Sequence, residues 1–214
     1  MILLNFLIKK MNMPEIYDLK WNIGTHMPFI QTIYNTIYSA IDIGCYTVQF
    51  FLGSPKSFKR KRITSEDIIA TNHLINRFPT VVITHAPYLY NLAGSKNILA
   101  WTNDKNQDIK TKLIIQELEY ELNIMANFKM NGVVIHPGNH VNIERGCQTI
   151  GQSISMITFA SNATLLLENS AGEGTKLGNT FQELKLIYDH VDDMKKKHIG
   201  FCIDTAHIFG NGEY

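Results

Sequence analysis

Four segments of this 214-residue chain end an apolar run with a residue able to bind a metal. They are Thr84-His85-Ala86-Pro87-Tyr88, Ile135-His136-Pro137-Gly138-Asn139-His140, Leu167-Glu168-Asn169-Ser170 and Cys202-Ile203-Asp204-Thr205-Ala206-His207. Imidazole nitrogen and carboxylate oxygen are donors that zinc accepts, and one carboxylate can bridge two ions. His85, His136, Glu168, Asp204 and His207 therefore form a candidate metal constellation. Two or more zinc ions held in this way can activate a hydroxide and clamp a phosphodiester for in-line displacement. Any one of these residues alone would read as a hydrogen-bonded core or rim residue. Their recurrence at four successive strand ends is what points to a site.

Other residues carry less. His26 also ends an apolar run, after Gly24 and Thr25, and is in a position to line the same site. His140 lies in the Pro-Gly loop as a supporting or surface residue. His73, His190 and His198 fall in or beside helical patterns and read as surface or packing residues. The glycines of Ala171-Gly172-Glu173-Gly174 permit a tight turn beside the site.

The elements that must carry these residues alternate between strand and helix. Strands are expected at Trp21–Thr25, Tyr46–Phe51, Thr80–Thr84, Gly132–Ile135, Thr164–Leu167 and Ile199–Ile203. Helices are expected at Ile30–Ile41, Ser65–Phe78, Asp108–Lys129, Gly146–Ser161 and Thr180–Met194. The strands are continuous apolar runs, as in parallel sheets covered by helices on the outside. Six β/α repeats without a GxGxxG or phosphate-loop motif favour a TIM-type (β/α)8 barrel, of which about six units are present. In that architecture functional residues sit at the C-terminal ends of the strands, where the His, Glu and Asp residues fall. Residues 1–20 read as an N-terminal extension and 21–214 as an incomplete barrel domain. The apolar start of the chain is too short to span a bilayer and lacks a basic lead and a cleavage site.

Composition limits the partners. The chain is 45% hydrophobic with a net charge of +1, so it has no global pull toward nucleic acid. The one dense basic run is Lys56-Ser-Phe-Lys59-Arg60-Lys61-Arg62, after the second strand. It suits phosphate-backbone contact, and equally a solvated loop or a nuclear targeting signal. Tyr88 and Leu89 directly follow the His85 segment; they could wedge into a base stack, although spacing alone favours packing against a neighbouring loop. Three widely spaced cysteines argue for a reducing compartment, and no CxxC pair is present for a thiolate zinc knot.

At these residues the chain resembles the endonuclease IV family of zinc-dependent apurinic/apyrimidinic endonucleases. His85-Ala-Pro-Tyr88-Leu89-Tyr-Asn-Leu is similar to the family's third-strand motif, and His136-Pro-Gly-Asn-His140 to its HPGxH motif. Glu168-Asn-Ser-Ala-Gly-Glu-Gly-Thr-Lys-Leu-Gly178 resembles ENxAGxGxxLG, and Gly200-Phe-Cys-Ile-Asp204-Thr-Ala-His207 resembles GxCxDTxH, with Ala206 where Cys or Ser is usual. The resemblance runs from about Trp21 to the end. It implies up to three zinc ions and incision of double-stranded DNA 5′ to an abasic sugar, in base excision repair. It implies His85 and His136 as ligands of the first zinc and Glu168 as the catalytic carboxylate shared with the second. Asp204 is implied for the second zinc and His207 for the third. Tyr88 and Leu89 match the residues that the family inserts at the lesion. Lys56 falls where an inserting arginine is usual, keeping the charge but not the planar stacking fork.

The family's remaining ligands, a further histidine strand, an Asp-x-His motif and a final glutamate, are not matched before Tyr214. The expectation is a first zinc with its protein ligands intact, and second and third zincs short of two each. An intracellular protein, monomeric when complete and without a membrane role, is expected. Two rivals remain open: a sugar isomerase or epimerase on a related barrel, and an inactive truncated product that binds DNA or metal without cutting.

Overall fold

The computed structural model describes residues 23–94, 105–128 and 131–212. The expected extension over residues 1–20 lies outside them, as do Trp21 and Lys129 at the ends of two expected elements. One parallel sheet holds β1 (Gly24–His26), β2 (Thr47–Phe50), β3 (Val81–His85), β4 (Asn131–Ile135), β5 (Leu165–Glu168) and β6 (Ile199–Cys202) in sequential order. The helices α1 (Ile33–Asp42), α2 (Ser65–Arg77), α3 (Lys105–Met125), α4 (Ile143–Ser155), α5 (Phe181–Asp189), α6 (Asp193–Lys196) and α7 (Thr205–Asn211) alternate with them. These are six β/α units of a TIM-type barrel.

Pairing in register puts equivalent residues on one face, because side chains alternate along each strand. Phe50 pairs with Thr84, Thr84 with Val133, Val133 with Leu165 and Leu165 with Ile199. This row packs outward, under the helices, where Phe50, Val133 and Leu165 are fully buried. The alternate row points inward and holds Gln49, His85, Val134, Leu166 and Glu168. The last inward position on or just past each strand is polar: His26, Gln49, His85, His136, Glu168 and Asp204. One end of the sheet is thus lined with donors while its outer face is apolar.

Capping sets the helix starts. Thr32 accepts from Asn35 N–H at 3.0 Å, and α1 then buries Ile33, Thr36, Ile37 and Ala40 along one stripe. Thr64, one residue ahead of the expected Ser65, caps α2 through Asp67 N–H. Asp67 instead reaches the start of α1, accepting from Ile33 N–H at 2.8 Å and Tyr34 N–H at 3.0 Å.

Three expectations are corrected here. The fourth helix begins at Ile143, because Asn142 caps it, and ends at Ser155 instead of Ser161. The helix expected over Thr180–Met194 is two: Asp192 accepts from Met194 N–H and starts a new turn. Helix α7 was not expected at all, and the Asp204 side chain caps it.

Candidate metal centre

The five expected ligands converge on one cavity of about 450 Å3 at the C-terminal ends of the strands. His85, from β3, turns its Nε2 to Glu168 Oε2 at 3.0 Å. His136, just past β4, points its Nε2 at the same oxygen from 3.4 Å. Glu168 closes β5 and is shared by two groupings, His85–His136–Glu168 and Glu168–Asp204–His207. Within each grouping the ligand atoms lie within 4.8 Å of one another.

Hydrogen bonding fixes which nitrogen faces the cavity for His85 and His207. His85 Nδ1 lies 2.6 Å from the Ala86 carbonyl oxygen, which can only accept, so Nδ1 carries the proton. In the neutral ring Nε2 is then a bare lone pair facing a carboxylate lone pair at 3.0 Å. A cation between the two resolves that opposition. His207 Nδ1 likewise donates to the Asn169 carbonyl at 2.8 Å, leaving its Nε2 free for a metal. Burial drives His136 down to about 4, against the pull of Glu168, so this ring is neutral and ligand-competent at neutral pH. Two donors at ordinary zinc distances in tetrahedral geometry stand roughly 3.4 Å apart. The separations of 3.0 and 3.4 Å are close to that value. Donor type, spacing and the tautomers of His85 and His207 fit zinc.

Asp204 divides its carboxylate. Oδ1 accepts from Ala206 N–H at 2.8 Å and His207 N–H at 3.0 Å, while Oδ2 stands 3.8 Å from His207 Nδ1. Asn169 joins this half of the site to the other. Its amide donates to the Asp204 carbonyl at 3.0 Å, and its side-chain oxygen accepts from Asp204 N–H at 2.6 Å. Across the cavity, Asn91 stitches the Tyr88 segment to the His136 loop, its Oδ1 accepting from Asn139 N–H at 2.9 Å and from Ala93 N–H at 3.1 Å. Gly138, at φ 141°, makes that contact possible: a Cβ there would stand 2.2 Å from Asn91 Oδ1.

The other expected residues are distributed around this centre. Tyr88 is 60% exposed and Leu89 44%, on a rim where Tyr88 meets the His85 ring edge-on at 5.4 Å. Lys56 is exposed on the loop after β2, next to Pro55, whose carbonyl accepts from Tyr88 N–H at 3.2 Å. His26 lines the cavity and contacts Gln49 Oε1 through its Nδ1 at 3.0 Å.

Two readings narrow. His140 is buried, with Nδ1 held against the Asn142 backbone, and is not a surface residue. The basic run does not face solvent uniformly: Arg60 is buried and Arg62 pairs with Glu117 at 2.6 Å. A run of like charges does not show which members have a carboxylate beneath them, and here Glu117 of α3 supplies it. Sequence reasoning also missed Lys176, which lines the cavity and pairs with Glu173 at 2.7 Å. The antiparallel bridge that pins Lys176 opposite Asn139 was not visible in its spacing.

Known proteins share this architecture. The family described as xylose isomerase-like TIM barrel matches residues 37–214. A probable endonuclease 4 of Methanosphaera stadtmanae is 34% identical over 197 residues, 90% of this chain and 66% of the relative. The chain belongs to the endonuclease IV family. A probable endonuclease 4 of Clostridium botulinum is 31% identical over 199 residues, 89% of this chain and 66% of the relative. The chain thus spans just under two thirds of the length of these endonuclease IV relatives. Crystal structures share the fold: endonuclease IV of Thermus thermophilus superposes with a TM-score of 0.70 at 24% identity, covering 88% of this chain and 64% of that one. A D-tagatose 3-epimerase-like protein superposes with a TM-score of 0.62 at 16% identity, covering 86% of this chain and 66% of that one.

Proposed function

We propose that the protein carrying this sequence is a zinc-dependent DNA repair endonuclease that hydrolyses the phosphodiester 5′ to an abasic site. The observation that carries the reading is the pairing of two imidazole Nε2 atoms on one oxygen of the buried Glu168, with Asp204 and His207 on its other side. His85 and His136 would hold one ion with Glu168, and Asp204 and His207 would hold further zinc with the same carboxylate. Bound zinc supplies a water of lowered pKa and neutralises phosphate charge. The chain's own residues supply the rest. Backbone carbonyls hold the His85 and His207 rings with Nε2 forward, and the Asn169 clasp keeps Glu168 and Asp204 side by side. Exposed Tyr88 and Leu89 would enter the base stack at the lesion, and Lys56 would meet a phosphate. Residues 21–214 act as one endonuclease domain, preceded by an extension over 1–20. We take the complete protein to be monomeric and intracellular. Among the described residues, no helix is long and apolar enough to cross a membrane.

The test uses a short duplex bearing one stable abasic analogue and an intact control. Zinc-loaded protein should cut only the first, 5′ to the analogue, leaving a 3′-hydroxyl. Glu168→Gln should lower that rate by about 10³-fold and reduce bound zinc measured by elemental analysis. Equal cutting of both duplexes, or turnover of free ketoses without incision, would overturn the reading in favour of a different barrel enzyme.

A further inference from the structure

A buried cation lies beneath the exposed Lys56 loop, and its side chain is 0% exposed: Arg60. One of its nitrogens, Nη2, donates to the Ser54 carbonyl at 2.8 Å and to the Ser57 carbonyl at 2.7 Å. Those two carbonyls flank Pro55 and Lys56, so one nitrogen closes the turn that presents Lys56. The arginine is fixed from α3. Glu117 accepts from Arg60 N–H at 2.9 Å, and Arg60 Nε faces the fully buried Glu121 at 4.0 Å.

The same residue reaches the second rim loop by two routes. Through the turn, Pro55 offers its carbonyl to Tyr88 N–H at 3.2 Å. Through the interior, the guanidinium lies 5.9 Å from the centre of the Tyr90 ring, and the Tyr90 hydroxyl donates to the Phe58 carbonyl at 2.6 Å. The Lys56 turn and the Tyr88–Leu89 rim are therefore bound to each other and to α3 around one guanidinium, whose Nη2 lies one atom beyond the reach of a lysine ammonium at the same position.

We propose that Arg60 is a positioning residue for substrate recognition, its buried guanidinium holding Lys56, Tyr88 and Leu89 as one preformed surface for damaged duplex. The inference rests on the function proposed above for that rim. Ordering this surface before binding removes an entropic cost that the encounter would otherwise carry. Arg60 does not itself line the cavity and meets it through Tyr90, so its effect falls on binding more than on the chemical step.

The experiment compares wild type with Arg60→Lys and with the paired Arg60→Met/Glu121→Gln, which removes the cation together with the carboxylate facing it. Three quantities are read: binding of abasic and intact duplex by fluorescence anisotropy, kcat against KM, and amide hydrogen exchange at Tyr88. Both variants should stay folded with wild-type zinc content. KM and the abasic-duplex Kd should rise about tenfold or more, with kcat within about twofold and faster exchange at Tyr88. Rescue of KM and of Tyr88 exchange by Arg60→Lys would overturn the proposal, as would losses in kcat and zinc content that match the loss in binding. If wild type does not distinguish abasic from intact duplex, the functional reading fails. Accelerated Tyr88 exchange in the variants would then still establish the clamp.

Discussion

Glu168 and Glu121 are buried carboxylates with different neighbours. Glu168 is buried against two imidazoles and lies between the candidate ligands. Glu121 is buried deeper, and the loss of solvent pushes its carboxyl up to about 7, with the nearby Thr84 hydroxyl and Arg60 pulling the other way. Between its ordinary value of 4.5 and about 7, the folded protein retains a proton on Glu121 that the unfolded chain has released. Stability from this group therefore falls as pH rises through that window, by about 1.4 kcal/mol per pH unit at most. His136, lowered to about 4 by burial, acts oppositely: the unfolded chain binds its proton first, so stability gained from it rises from about 4 toward 6.5. The difference between wild type and Glu121→Gln isolates the first effect. Urea unfolding from pH 5 to 7.5 should show the variant losing less stability than wild type as pH rises, and parallel curves would remove Glu121 from the account.

Between elements, the junction of β5 and β6 depends on Asn169, which is almost fully buried and makes two side-chain hydrogen bonds to the Asp204 backbone. Asn169→Ala removes both, while the Asp204 carbonyl keeps its bond from Ile208 N–H at 3.1 Å. The expected cost is about 1–3 kcal/mol, read as a lower unfolding midpoint. Zinc should be lost first from the Asp204–His207 side, while the His85–His136 side keeps its ion. Unchanged zinc content by elemental analysis would show that the strand ends align without the clasp. This junction also marks what the sequence could and could not tell. Strand positions were legible because each is a short β-branched or apolar run ending in a polar residue. Helix α7 was not, because Asp204 had been read for one chemistry, metal binding, while one of its oxygens also caps a helix. The break between α5 and α6 was hidden for a similar reason: Asp192 looks like any surface carboxylate until its cap to Met194 N–H is seen.

Across the whole molecule, the candidate ligands come from the ends of four consecutive strands, so metal binding should stabilise the entire sheet and not one loop. Zinc at about a hundredfold above its Kd would add about 2.7 kcal/mol, roughly 5–10 °C in Tm for a domain of this size. Calorimetry on chelator-treated protein, titrated with zinc and separately with magnesium, checks this. A large shift with zinc and a small one with magnesium is expected, and equal shifts would argue against a nitrogen-rich site. The barrel could be read from the alternation of elements, and the site from four motifs that share one end of it. The support beneath the rim could not be read, because nothing in Lys56–Arg62 separates the lysine that faces solvent from the arginine that faces Glu117 and Glu121. One consequence of the ring orientations concerns mutation. The groups that orient His85 and His207 are main-chain carbonyls of Ala86 and Asn169, which every amino acid possesses. No point substitution at either position deletes the acceptor. Genetic drift can therefore remove a ligand outright, but it has no single-step route to turning these two rings the wrong way by deleting what orients them.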